Sequence, residues 1–160
     1  MKEIKIESTF LIFENLEALP KDVFNLMQKA KEARKKAYAP YSNFNVGAAL
    51  LLDNGEIISG NNQENASYPS GLCAERTAVY YAGANFPNSK ILKMAIVAGS
   101  NSHKTQEPIP PCGACRQAIA EYEIKQESPI EIYFMGETGQ ILKSASLINL
   151  LPLFFNKLLL

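Results

Sequence analysis

The sequence predicts an α/β fold, a mixed sheet covered by helices on both faces, and three observations predict it. From Val46 onward, strand-like apolar runs alternate with helix-like segments. No internal repeat, low-complexity tract or Pro/Gly/Ser-rich linker divides the chain. A length of 160 residues suits one domain and is enough to bury a real core.

Each element has its own signal. Ile4, Ile6, Phe10 and Ile12 share one parity, which predicts a short strand. Pro20 suits an early helical position, and Lys21 to Ala37 then reads as a helix with Val23, Met27, Ala30 and Ala37 as its buried stripe. Val46 to Leu52 reads as a buried strand, and the turn Asp53-Asn54-Gly55 folds it back into a second strand, Glu56 to Ser59. Cys73 to Ala84 is helix-like, Ile91 to Ala98 is a strand, and Cys112 to Glu123 is helix-like behind Pro110-Pro111. Ile130 to Phe134 and Ile141 to Lys143 are strands, and Ser144 is the expected cap of a last short helix ending near Pro152. Residues 1–20 form an N-terminal extension, 21–155 the core and 156–160 a tail. The apolar tail, Leu150 to Phe155 and then Leu158 to Leu160, is expected to be buried by another subunit.

Composition excludes several classes. Sixteen basic residues balance sixteen acidic ones, which argues against binding nucleic acid through a basic surface. The basic residues of the first helix, Lys29, Lys31, Lys35 and Lys36, read as a solvated face. Met1 to Glu7 lacks the apolar core of a signal peptide, and no apolar run reaches the roughly 20 residues that span a bilayer. The expected compartment is the cytoplasm. Three cysteines, an odd number, fit a disulfide framework poorly; clustered in a reducing compartment they point to metal or catalysis.

All three cysteines fall in two short motifs, Cys73-Ala74-Glu75 and Pro111-Cys112-Gly113-Ala114-Cys115. Cys112 and Cys115, three apart on a first helical turn, face one side. Cys73 also falls at a predicted helix start, where free N–H groups and the positive dipole end favour the thiolate. Zinc accepts such ligands in tetrahedral geometry. His103, the only histidine, is the one other soft ligand, so a closed Cys3His structural site is the bland alternative. A solvent-facing His103 leaves the fourth position to water, as a catalytic zinc requires. Glu75 lies two residues from Cys73, so the two converge on one water only if Cys73 is at the extreme start of its helix. By itself Glu75 would read as a complement to the helix dipole; beside the cysteine motifs it reads as a proton carrier. Arg76 and Arg116 each follow a motif residue and are candidates to donate to the thiolates, Arg76 the better one.

These motifs resemble the zinc-dependent nucleoside and nucleobase deaminases in their three-cysteine form, and in particular the small homotetrameric cytidine deaminases. Four blocks in order carry the resemblance, which runs from about Ala30 to Phe155: Ala39 to Ala49 (APYSNFNVGAA), Gly60 to Ala66 (GNNQENA), Cys73 to Ala78 (CAERTA) and Pro111 to Gln117 (PCGACRQ). It implies a three-layer α/β/α fold with a mixed five-stranded sheet. It also implies hydrolytic deamination of cytidine and deoxycytidine, one Zn²⁺ per subunit on Cys73, Cys112 and Cys115, and Glu75 as catalytic proton shuttle. Position by position, Asn62 and Glu64 match the pair that binds the ribose, mainly its 3′-hydroxyl. Phe44 and Val46 match the base pocket, and the backbone of Ala74 and Cys112 lies near the polar edge of the base. Ala66 and Tyr68 match a stretch that reaches a neighbouring subunit's nucleoside. Phe155, with Phe154 as fallback, matches an aromatic that stacks on the base in a neighbour's site. The resemblance thus implies a homotetramer with shared active sites, a nucleoside as substrate, and neither nucleic acid nor membrane as partner. Residues 1–20 exceed the family pattern, and an added edge strand is their expected role.

Two other readings stay open at this level. A blasticidin-S-type nucleoside deaminase shares both cysteine motifs, but the Asn62 and Glu64 ribose pair favours a plain nucleoside. A structural zinc module that mediates protein interaction needs a fourth protein ligand and has no use for Glu75.

Overall fold

The computed structural model describes residues 1–157. It contains a six-stranded mixed sheet with strand order β1-β6-β5-β4-β2-β3. The strands are β1 (Phe10–Phe13), β2 (Phe44–Leu52), β3 (Ile57–Asn61), β4 (Ile91–Ser100), β5 (Glu131–Met135) and β6 (Ile141–Ser144). β4 and β5 pair in parallel, and the other four strand pairs of the sheet are antiparallel. Helix α1 (Lys21–Arg34) covers one face, and α2 (Ala74–Asn85) and α3 (Gly113–Lys125) cover the other. The three-layer α/β/α architecture is therefore as expected, but the sheet has six strands and not five.

The sixth strand is β1, and it comes from the N-terminal extension, at the edge where an added strand was expected. It begins at Phe10, however, and Ile4 and Ile6 remain exposed. The partner explains this. β6 is four residues long and its ladder with β1 ends at Ser144, so nothing is left for Ile4 and Ile6 to pair with. Phe10 packs into the α2/α3 side of the core and Phe13 into the α1 side.

Alternation along β4 divides the core in two. Met94 and Ile96 face α2 and α3, whereas Ala95 and Val97 face α1. Val23, Met27 and Ala30 are the buried stripe of α1 as expected, joined by Leu26 and Ala33. The helix ends at Arg34, not at Ala37. Its last turn tightens, with Lys36 N donating to Ala33 O and Ala37 N to Arg34 O, before Ala39-Pro40 forces the chain out of helical geometry. Two glycines set the distance between layers. A Cβ on Gly47 would lie 2.0 Å from Ala30 O of α1, and one on Gly60 would lie 2.5 Å from Ala74 O of α2. Both helices thus pack directly onto the β2/β3 hairpin backbone.

The last turn differs from expectation. Ser144 is the end of β6 and donates to Ser146 O, while Ser146 caps a short 3-10 turn, Leu147–Asn149. Ser144 is held in the β6 ladder by Phe10 and Ile132, so the cap passes two residues on. Glu123 of α3 anchors this turn, its carboxylate accepting from Leu147 N, Ile130 N and Ser146 Oγ.

Candidate active site

Two helix starts meet at the end of the sheet where β4 finishes and β2 begins. Cys73 is the N-cap of α2 and Cys112 the N-cap of α3, both with extended backbone. Neither side chain bonds its helix, although Ser, Thr, Asp or Asn would do so at this position. Cysteine here forgoes a cap and leaves the sulfur free for other chemistry. Cys115 lies in the first turn of α3, fully buried. The Cys73 and Cys112 sulfurs are 3.8 Å apart, the Cys112 and Cys115 sulfurs 3.5 Å, and all three lie within 4.8 Å of one another. Three sulfurs on a tetrahedral ion with bonds of about 2.3 Å are separated by about 3.8 Å, so the donor set fits zinc.

The local field favours the thiolate at Cys73. The Cys73 thiol is lowered to about 5 by the hydrogen bond from Cys115 and by Arg76, against the opposing effect of burial. Cys115 is pushed up by its hydrogen bond to Cys73 and by burial. Arg76 Nη2 donates to Cys73 Sγ at 3.7 Å. Arg116 does not reach the thiols: its guanidinium donates to Pro111 O and Leu150 O, both at 2.8 Å, tying the cysteine loop to the C-terminal segment.

Glu75, in the first turn of α2, is 4% exposed. Burial pushes its carboxyl up to about 7, the Cys73 charge adding to the rise. Because Cys73 is the cap and not a helical residue, the two side chains converge despite their spacing. His103 is exposed on the loop after β4 and is not among the clustered groups.

These groups border a cavity of about 560 Å³. Phe44 and Val46 of β2 and Ile96 and Ala98 of the adjacent strand β4 line it from the sheet, Val46 paired directly with Ala98. Asn62, Glu64 and Tyr68 line its other side, and Cys73, Glu75, Arg76 and Cys112 border it at the helix starts.

The family model for the cytidine and deoxycytidylate deaminase zinc-binding region matches residues 20–128. The chain is 41% identical over 136 residues to a cytidine deaminase of Sporosarcina psychrophila, covering 85% of this chain and 93% of that one. The chain belongs to the cytidine deaminase family. A cytidine deaminase of Halalkalibacterium halodurans is 49% identical over 96 residues, 60% of this chain and 68% of the relative. Among solved structures, the cytidine deaminase of Burkholderia pseudomallei superposes with a TM-score of 0.71 at 38% identity, covering 86% of this chain and all of the other.

In this chain, three expected site residues lie away from the cavity lining. Ala74 is fully buried in the α2/α3 core. Ala66 is exposed on the loop before the 3-10 turn Tyr68–Ser70. Phe155 is 60% exposed, with its carbonyl accepting from Gln117 Nε2. Phe154, the fallback, packs against its own core. Leu158 to Leu160 lie outside the described residues. Asn62 is largely committed to the sheet: its Oδ1 accepts from Val46 N and its Nδ2 donates to Phe44 O, extending the hairpin pairing by one position. Tyr41, Ser42, Leu72 and Ile109 also line the cavity and escaped the sequence reading. The signal available for Tyr41 and Ser42 was their place in the Ala39 to Ala49 block; Leu72 and Ile109 had none.

Proposed function

We propose that this protein hydrolyses cytidine and deoxycytidine to uridine and deoxyuridine with release of ammonia, using one zinc ion per subunit held by Cys73, Cys112 and Cys115. The observation that carries the reading is a buried carboxyl, Glu75, beside a three-thiol cluster that opens onto a nucleoside-sized cavity. Zinc, when bound, supplies the Lewis acidity that brings the pKa of water towards neutrality. Glu75 takes a proton from that water and delivers it to N3 of the pyrimidine as C4 gains oxygen. It then takes the proton of the new C4 hydroxyl and carries it to the exocyclic amine, so that the C4 carbonyl forms as the C4–N bond breaks and ammonia leaves. A carboxyl whose pKa burial has raised suits both roles. Arg76 offsets the excess negative charge of three thiolates. Phe44 and Val46 hold the base, with the backbone of Ala74 and Cys112 at its polar edge, while Asn62 and Glu64 hold the ribose.

The chain works as one deaminase domain in a homotetramer with shared sites, to which Ala66, Tyr68 and Phe155 each contribute towards a neighbour. Exposure of Tyr68 and Phe155 supports that assembly. Three free thiols support a reducing, cytoplasmic setting and a role in pyrimidine salvage. Among the described residues no helix is long and apolar enough to cross a membrane.

The test is an ultraviolet assay with cytidine, deoxycytidine, cytosine and CMP, with and without a chelator. Turnover of the two nucleosides alone, lost on chelation, is expected. Turnover of cytosine or CMP in their place overturns the substrate class, and full activity after verified zinc removal overturns the mechanism.

A further inference from the structure

The loop from Tyr38 to Phe44 lies across the segment that carries Glu64. Tyr38 N donates to Asn62 O and Glu64 N donates to Tyr38 O, so the two backbones are stitched together. Beyond the stitch, the Glu64 carboxylate is gripped from one side. Its Oε2 accepts from Tyr41 N at 3.0 Å and from Ser42 N at 3.2 Å, and its Oε1 accepts from the Ser42 hydroxyl. The hydroxyl is itself fixed, because Ser42 Oγ accepts from Phe44 N at 3.1 Å. The loop has little freedom to relax: Asn43 occupies the left-handed region at φ 53°, its N–H donates to Ala39 O, and its carbonyl accepts from Asn101 N.

We propose that Ser42 is a positioning residue for sugar recognition, its hydroxyl locking Glu64 so that the carboxylate presents one remaining acceptor site to a nucleoside hydroxyl. This rests on the reading of Glu64 as a sugar ligand. An ionised carboxylate offers about four acceptor positions and no donor. Three are taken by the loop, and both Glu64 and Ser42 line the cavity. A group in this state accepts from a hydroxyl and repels an anion. The same three bonds hold the Glu64 carboxyl below the usual range, the Ser42 hydroxyl bond contributing most. Without the Ser42 hydroxyl, Oε1 is released to rotate and to bind water, so the hydroxyl of the substrate must compete for an unoriented acceptor. The hydrogen bonds of Ser42 run to Glu64 and Phe44 and not to the thiols or Glu75, and so the chemical step is untouched.

The experiment compares Ser42→Ala, Ser42→Thr, Glu64→Gln and the Ser42→Ala/Glu64→Gln double variant. It reads zinc content, KM and kcat for cytidine, and the competitive inhibition constant of 2′,3′-dideoxycytidine, which lacks the 3′-hydroxyl. Ser42→Ala is expected to raise KM for cytidine roughly fivefold to tenfold, the effect of one hydrogen bond to a charged group, with kcat within about twofold. Its inhibition constant for 2′,3′-dideoxycytidine stays within about twofold, and Ser42→Thr restores KM. The double variant is no worse than Glu64→Gln. An equal loss on both ligands, or a loss of kcat, or additive effects in the double variant, overturns the proposal by making Ser42 a general fold residue. Should Glu64→Gln still discriminate cytidine from its dideoxy analogue as the parent does, Glu64 is no sugar ligand, and the proposal falls through that arm instead.

Discussion

Glu75 is the buried carboxyl of the candidate site. Its carboxyl is buried beside the thiol cluster, and ionising it there is costly, which is why its pKa rises. Glu75→Gln keeps shape and hydrogen bonding while removing the exchangeable proton. It is expected to retain zinc and to lose roughly 10²- to 10⁴-fold in kcat, the usual worth of a general acid–base group. Metal analysis beside the ultraviolet assay checks both halves, and near-parent activity removes Glu75 from the shuttle. Cys112→Ala deletes one sulfur of the cluster and is expected to lose zinc and activity together; a full zinc complement refutes its assignment as ligand. His103→Ala should alter neither, since His103 is exposed and outside the cluster; metal loss there would favour a structural site. These residues were legible in the sequence because their geometry is local. A cap, a second helical position and an i, i+3 pair all follow from one helical turn. The Ser42–Glu64 contact was not, because it joins residues 22 apart through a loop whose path no periodicity encodes.

Elements hold these residues in place through close layer contacts. Gly60→Ala would put a methyl group 2.5 Å from Ala74 O, at the start of the helix that carries Cys73 and Glu75. Overpacking of this kind costs about 1–3 kcal/mol, and it displaces directly the helix that carries Glu75. The expected result is a lowered melting temperature with a disproportionate fall in kcat. Gly47→Ala presses on α1 instead, so it should cost stability with a smaller effect on kcat per bound zinc. Equal catalytic losses in the two variants would contradict this separation. A polar lattice adds a pH dependence on the α1 side. Lys93 bonds Asp22 of α1 at 2.6 Å and lies 3.8 Å from Glu131, which also accepts from Lys143 and Tyr133. The hydrogen bond from Lys93 holds the Asp22 carboxyl below its usual range. Burial opposes the same shift in Glu131, but Lys143, Tyr133 and Lys93 together outweigh it. Carboxyls depressed in the folded state contribute stability that is present above their unfolded values, 3.8 and 4.5, and is lost as pH falls below them. Thermal melts of the parent should therefore decline on acidification through pH 4.5, and Glu131→Gln should flatten that decline. Element types were readable from periodicity, whereas the limits of β1 and the cap of the last turn were not. Those are set by the length of β6 and by Ser144 pairing with Phe10 and Ile132, which are contacts between distant segments.

At the scale of the whole molecule, the exposed aromatics are the part a single chain leaves unexplained. Tyr68 is 76% exposed and Phe155 is 60% exposed, yet the segment bearing Phe155 is anchored by Gln117 and, through Leu150, by Arg116. An anchored yet uncovered aromatic is costly in a monomer and useful in an assembly. If Phe155 completes a neighbour's site, then Phe155→Ala harms the neighbour's active site and not its own. Glu75→Gln, by contrast, disables only its own site and still presents an intact Phe155. Each variant alone is expected to be weak, Phe155→Ala by roughly tenfold in kcat/KM, about the worth of one stacking contact. Oligomers reassembled from a mixture should regain activity, because sites with an intact Glu75 in one subunit then meet an intact Phe155 from the next. Recovery should track the fraction of mixed oligomers measured by native mass spectrometry. A mixture that shows only the sum of its two components would mean that each chain supplies its own site entire, and the shared-site assembly would be wrong.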